Sequence, residues 1–353
     1  MTINQSPLQS TPVGAFRFNT DSSKLEYYDG IQWVNITSDS PEVQTGGTRG
    51  LMMGGSQPAP VSDYVNIISY ANFDTTGNFT DFGDRTASTG NGMFGLASRT
   101  RGVAGCGYDT SPNTSTNIID CVTISSTGNA TDFGDAAYKV EGARGFSDAT
   151  RGVFAFGFQR TDWASKNDLQ YFTIATKGNA VDTGIDLTTN HRSGAAFASP
   201  TRGIFAGGNP GPSNVIDYIT ISSLSQAADF GDLFTGGDNG EGSTGCSNAV
   251  RGLYFGGLDN PATYTNVIEY ITIATLGNSK DFGDTTNGLH SSSAAASPTR
   301  GVHMGGGNSS PYVAINTVDY VQIMSTGNAV DFGDLTVPTY SGAACSNGHG
   351  GLG

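Results

Sequence analysis

The apolar positions of this chain come in short runs punctuated by Gly, Asn, Asp, Ser and Pro, without sustained helical spacing. Three kinds of run recur. One is apolar and ends in a glycine pair, as in "GIFAGG" at 203–208. A second mixes β-branched and aromatic residues, as in "NVIDYITI" at 214–221, and a third is made of small residues, as in "SGAAFAS" at 193–199. Runs of about four to eight residues between turn signals, rich in these types, predict strands.

The runs are periodic. A "TRG" turn stands at Thr48-Arg49-Gly50, Thr100-Arg101-Gly102, Thr150-Arg151-Gly152, Thr201-Arg202-Gly203 and Thr299-Arg300-Gly301, and Val250-Arg251-Gly252 fills the remaining place. Each copy of about 50 residues predicts four strands, which is the pattern of a β-propeller blade. Strands such as 214–221 are apolar on both faces, as expected where a sheet is covered on both sides. The small-residue strand should line a crowded central channel. The first copy lacks that strand, and its counterpart, "SGAACSN" at 341–347, appears near the C-terminus. The last strand should therefore pair with the first copy and leave no free sheet edge. One more step of the period lands on His349 in "NGHGG", read as the degenerate start of a seventh copy.

The order of small-residue strand, apolar strand with Gly-Gly, then a strand carrying Tyr resembles a Kelch repeat. The glycine pairs are Gly54-Gly55, Gly207-Gly208, Gly256-Gly257 and Gly305-Gly306; they degrade to Cys106-Gly107 and Phe156-Gly157, and the outer-strand Trp of Kelch repeats is absent. The resemblance covers about residues 47–349 and implies an all-β, six-bladed Kelch-like β-propeller over 41–353, closed by the C-terminal strand.

A separate β segment is expected over 1–40. Phe16 and Phe18 alternate with polar residues, Leu25, Tyr27 and Tyr28 follow a turn, and Asp29-Gly30 turns the chain into Trp33, Val34 and Ile36. So short a unit has little core of its own. Its pattern, "FRFNT" followed by "KLEYYDGIQWV", resembles a module of bacteriophage tail fibres and other virion appendages. The repeats resemble propeller-like proteins encoded by phages of marine cyanobacteria. These resemblances imply a virion protein attached to other virion proteins through Phe16, Phe18, Tyr27, Tyr28 and Trp33, and homo-oligomeric in the particle.

Composition narrows the function. A net charge of −14 argues against a nucleic-acid partner, which needs clustered Lys and Arg. No charged segment leads an apolar run at the N-terminus, so no signal peptide is expected, and apolar runs of about five residues are too short for membrane insertion. Cys106, Cys121, Cys246 and Cys345 lack CxxC spacing and read as small buried residues. The four His lack paired spacing, so no metal or cofactor is expected.

One tripeptide needs weighing. Asp132-Phe133-Gly134 matches the element that holds magnesium in protein kinases, yet the aspartate pairs Asp81/Asp84, Asp132/Asp135, Asp182/Asp186, Asp229/Asp232, Asp281/Asp284 and Asp331/Asp334 occur once per copy. Paired carboxylates suit calcium or acid–base work, but repetition at the period of the fold points to structure. The first Asp of each pair is expected at the same end as the repeated arginine. This predicts Arg–Asp bonds joining Arg49, Arg101, Arg151, Arg202, Arg251 and Arg300 to Asp81, Asp132, Asp182, Asp229, Asp281 and Asp331. Copy three writes "VDTGID" at 181–186 instead, read as a bulge.

The copies differ most in the loops at the other end. Those loops carry Tyr64, Tyr108, Arg160, Trp163, Tyr264 and Tyr312 as candidate ligand-binding residues, with Arg144, His191, Asp238, Glu241 and His290 nearby in sequence. Aromatic rings beside polar groups stack on sugars or anchor proteins. The expectation is therefore a non-enzymatic virion protein whose loop face binds host-surface glycan or another virion protein. A purely architectural capsid-decoration or baseplate role and a propeller glycan hydrolase are the alternatives.

Overall fold

The computed structural model describes residues 11–19, 24–35, 48–57, 64–110, 113–155, 157–209, 213–234, 242–259, 263–308 and 313–353. The chain divides into two compact units, Met1–Val43 and Gln44–Gly353.

In the first unit Phe16–Asn19, Lys24–Tyr28 and Trp33–Asn35 form an antiparallel three-stranded sheet. Asp29 makes the second turn by accepting the Ile31 and Gln32 N–H groups, each at 2.8 Å. Strand alternation splits the side chains into two faces. One carries Arg17, which pairs with Glu26 at 2.7 Å and lies 4.2 Å from the centre of the Trp33 ring. The other holds Phe16, Phe18, Leu25, Tyr27 and Val34; Phe16 is 64 % and Phe18 61 % exposed. Ile36 lies outside the described residues.

Among its described residues the second unit contains six main sheets, each built on an antiparallel path of four strands, and two short two-stranded ones. We number the main sheets by their repeated arginines, Arg49 (sheet 1) to Arg300 (sheet 6). The innermost strand of sheet 1 is Ala343–Ser346, which pairs with Arg49–Ser56. The innermost strands touch in the sequence of sheets 1 to 6 and then 1 again. A buried apolar cluster lies between each neighbouring pair, including sheets 6 and 1, where Val302, Met304 and Phe332 meet Met52, Phe73 and Phe79. The core is thus a set of interfaces between sheets, and no sheet has a hydrophobic interior of its own.

A ring of main-chain hydrogen bonds repeats this order. The N–H of Gly142 donates to Gly92, Ser193 to Gly142, Gly242 to Ser193, Ser291 to Gly242, Ser341 to Ser291 and Gly92 to Ser341, over 2.6–3.2 Å. All six donors have positive φ, from 54° at Ser291 to 83° at Gly92. Half of these positions are serine, which tolerates that region less well than glycine; closure of the ring holds them there.

At the opposite end, the turn of each copy docks on the outer strand of the preceding one. Gly128 donates to the Phe82 carbonyl at 2.8 Å, Ala130 to the Asp84 carbonyl at 2.7 Å, and the Asn129 side chain accepts the Asp84 N–H at 3.1 Å. The same set joins sheets 2 and 3, 4 and 5, 5 and 6, and 6 and 1. The glycine of "DFG" makes room: a Cβ on Gly283 would lie 2.5 Å from the Gly327 carbonyl. Its phenylalanine is buried, as at Phe82, Phe133, Phe230, Phe282 and Phe332, and a register shift at this point recurs in every sheet.

The predicted Arg–Asp bonds do not form. Arg49, Arg101, Arg151, Arg202, Arg251 and Arg300 donate through Nη1 to main-chain carbonyls of the next sheet, those of Ile124, Ile174, Ile221, Ile273, Ile323 and Phe73, at 2.5–3.0 Å. Four of them also lie over a Tyr of their own sheet: Arg49 on Tyr70, Arg202 on Tyr218, Arg251 on Tyr270 and Arg300 on Tyr320. Those rings in turn meet the edges of Phe82, Phe230, Phe282 and Phe332. The reason is geometric. The arginine sits on the second strand and the aspartate on the fourth, two strand spacings or about 10 Å apart, with the Tyr between them. Asp81, Asp132, Asp182, Asp229, Asp281 and Asp331 are exposed on the outer strand.

The bulge read in copy three is present and is one residue larger than in the others: Asp168 pairs with Asp186 and Gln170 with Asp182, whereas the other sheets skip a single residue. The docking differs too. Thr183 replaces the buried Phe, and the turn that should dock there reads Leu224-Ser225-Gln226, without the Gly-Asn of the others. Among the described residues the hydrogen bond across this dock is from Gln226 Nε2 to the Asp186 carbonyl at 3.3 Å, and Leu224 and Ile185 pack on the same apolar cluster. Both partners of one interface have changed together. His349, read as the start of a seventh copy, instead caps a 3-10 turn, Gly350–Leu352. Its Nε2 lies 2.7 Å from the Ala97 carbonyl, and Arg99 donates to the Leu352 carbonyl at 2.8 Å.

Candidate functional site

The small-residue strands surround a channel, as expected, with Gly95, Gly145, Ala196, Gly245, Ala294 and Ala344 on its wall and His349 at one end. Its cavity is about 50 Å³, room for a few waters. No ligand of sugar size fits inside. Among the described residues no group of three or more His, Cys, Asp and Glu could hold a metal ion. The four cysteines are free and buried.

The loops at the end bearing the positive-φ ring bring four of the predicted residues together. Tyr64 meets the ring of Tyr108 edge-on, with centroids 5.7 Å apart. Arg160 lies 4.1 Å from the centre of Tyr108 and 5.9 Å from that of Trp163. Its guanidinium is held by Glu141 through two contacts of 3.0 Å, so its charge is spent within the cluster and its plane is fixed. Phe158 meets Trp163 edge-on at 5.8 Å, and Arg192 lies 4.6 Å over Phe158. Tyr64, Tyr108 and Arg160 come from sheets 1, 2 and 3, so the cluster exists only where the three loops converge.

Sequence explains the shape of the third loop. Phe158–Gln159 pairs with Ala164–Ser165, and Lys166 clasps Asp162 at 2.6 Å across the turn. That contact holds the Asp162 carboxyl below the usual carboxylate range. Trp163 sits at the tip with φ of 55° and is 73 % exposed. A bulky residue in the left-handed region and largely in water is strained backbone of the kind that collects at functional sites. The Tyr64 hydroxyl is pushed up to about 12, first by burial and then by Tyr340, Glu141 and Tyr108, with Arg160 opposing. At neutral pH the cluster therefore presents a neutral phenol, the exposed Trp163 ring and an arginine neutralised by its carboxylate: an amphipathic platform of rings set at steep angles to one another.

The remaining candidates do not join it. Tyr264 packs against His290 in a tilted arrangement, with centroids 4.5 Å apart, and burial lowers His290 to about 4. His191 lies buried near Ser213 and Thr189. Arg144 begins an innermost strand and faces the channel mouth instead of a loop. Tyr312, Asp238 and Glu241 lie outside the described residues.

Sequence reading missed the buried acids of the third strand. Asp120, Asp217, Glu269 and Asp319 occupy one position per copy and accept from the loop of the preceding sheet: Thr86, Thr188, Phe234 and Thr286. Burial raises Asp217 and Asp319 above the usual carboxylate range. The signal was the single acid inside otherwise apolar runs such as "NVIDYITI".

No protein-family model and no curated protein matches the chain. Among solved structures, that of YjhT aligns with a TM-score of 0.60 at 9 % identity, over 73 % of this chain and 87 % of that chain. The fold is propeller-like. At that identity the likeness concerns the fold alone, and function must be argued from this chain's own residues.

Proposed function

We propose that the chain is a non-enzymatic structural protein of a bacteriophage particle, a six-bladed Kelch-like propeller that displays a binding platform on its variable loops. The observation that carries the binding reading is the convergence of Tyr64, Tyr108, Arg160 and Trp163 from three sheets, with Trp163 exposed at a strained tip. Such rings stack on the apolar faces of sugars, and the fixed guanidinium leaves donors for hydroxyl groups. Host-surface glycan is therefore the ligand we favour. The six equivalent inter-sheet contacts support the six-bladed reading. The virion assignment rests on the resemblance of residues 16–34 to tail-fibre modules. The exposed Phe16 and Phe18 on one face supply an apolar surface suited to another virion protein or a second copy.

Binding to host cells and to a glycan array tests this. The wild-type protein should bind, Trp163→Ala should lose about 1–3 kcal/mol of affinity, and both should melt together. Absence of binding by the wild-type protein would leave the architectural role, and turnover of host polysaccharide would favour a hydrolase.

A further inference from the structure

The channel mouth holds a cation that no carboxylate balances. The innermost strands of sheets 1 to 6 begin with Ala343, Phe94, Arg144, Ala195, Thr244 and Ser293, so one of six equivalent positions is charged. Arg144 borders a cavity of about 40 Å³ that Thr244, Ser292 and Ser293 of sheets 5 and 6 also line. The guanidinium donates to the carbonyls of Ala143 at 3.0 Å and Ser243 at 3.4 Å. The ion pairs among the described residues are Arg17–Glu26, Arg85–Asp120, Arg160–Glu141 and Lys166–Asp162, and Arg144 is in none. Burial lowers it to about 10 with no acid opposing the shift, so it remains charged at neutral pH. Arg144 is half-buried, and a partly desolvated cation without an anion is costly in a chain that could have placed Ala or Ser there, as other copies do.

We infer that the channel mouth is a binding site for a single carboxylate, anchored by the Arg144 guanidinium. Its planar fork has five N–H donors, and the two carbonyl contacts leave enough for a bidentate carboxylate. The Thr244 hydroxyl on the same cavity can donate to the same anion, while that of Ser293 already donates to the Gly342 carbonyl at 3.0 Å. With one cation and so little room, the site suits a monoanion over a phosphate dianion. The carboxylate can come from a free small acid or from a sugar acid within a glycan. The inference does not rest on the Trp163 platform, which shares no residue with this site.

Saturation-transfer NMR on the full chain, with formate and glucuronate as separate probes, tests it. Formate should show saturable transfer in the wild-type protein, weakened about ten- to a hundredfold in Arg144→Gln. Arg144-dependent transfer to glucuronate would identify the source as a sugar acid, and transfer to formate alone a free small anion; either supports the site. Should Arg144→Gln fail to fold, Arg144→Lys keeps the charge but loses the fork and should still bind formate more weakly. Equal transfer in wild type and either folded variant, or none in wild type, overturns the inference.

Discussion

The docking of each turn on the preceding outer strand makes a matched pair of substitutions informative. Gly283 has φ of 147°, and a Cβ there would lie 2.5 Å from the carbon and oxygen of the Gly327 carbonyl. Backbone atoms must then part. The contacts at risk are Gly327 N–H to the Phe282 carbonyl (2.8 Å), Ala329 N–H to the Asp284 carbonyl (2.7 Å) and Asp284 N–H to the Asn328 side chain (3.1 Å). At about 1 kcal/mol for each bond and about 1–3 kcal/mol for the strained backbone, Gly283→Ala should cost about 4–6 kcal/mol. Gly184 is its counterpart in copy three. It has φ of 67° with nothing within 4 Å of a built Cβ, so Gly184→Ala should cost only about 1–2 kcal/mol, for the left-handed backbone. Urea unfolding followed by circular dichroism at pH 7 measures both. The reasoning fails if Gly283→Ala costs no more than Gly184→Ala, because the dock would then contribute nothing.

Two further outcomes are expected. Arg85 and Asp120 form a fully buried ion pair at 3.0 Å between sheets 1 and 2; Asp120→Asn strands the guanidinium and should cost about 3–5 kcal/mol, while Arg85→Met with Asp120→Leu should recover most of it in the same urea assay. His303 is 3 % exposed, stacked on Phe255 at 5.0 Å, and lowered by burial to about 4 from 6.5. Its neutral form belongs to the fold, so its contribution is complete above pH 6.5 and is lost as pH falls toward 4. Between pH 7 and 5 this amounts to about 2 kcal/mol. His303→Gln should flatten the decline by that amount, and an unchanged slope in thermal unfolding would count against it.

The repeat determined a good deal by itself. Its period, its Gly-Gly and "TRG" marks and the displaced small-residue run at 341–347 give strand number, order and the pairing of Ala343–Ser346 with Arg49–Ser56, because hydrophobic and turn patterning are local properties of a chain. The inter-sheet roles were not legible in that way. One sequence pattern carries "TRG" and "DFGD" at one end of a copy, yet whether Arg49 meets Asp81 or the Ile124 carbonyl depends on how neighbouring sheets pack. The same holds for "VDTGID": its partner, Leu224-Ser225-Gln226, lies in the following copy, and only their contact explains why both depart from the pattern. Tyr64, Tyr108, Arg160 and Trp163 were legible as loop residues of chemical interest. That they converge while Tyr264 stands apart with His290 was decided by tertiary structure, since residues about 100 apart in sequence meet only when sheets are set side by side.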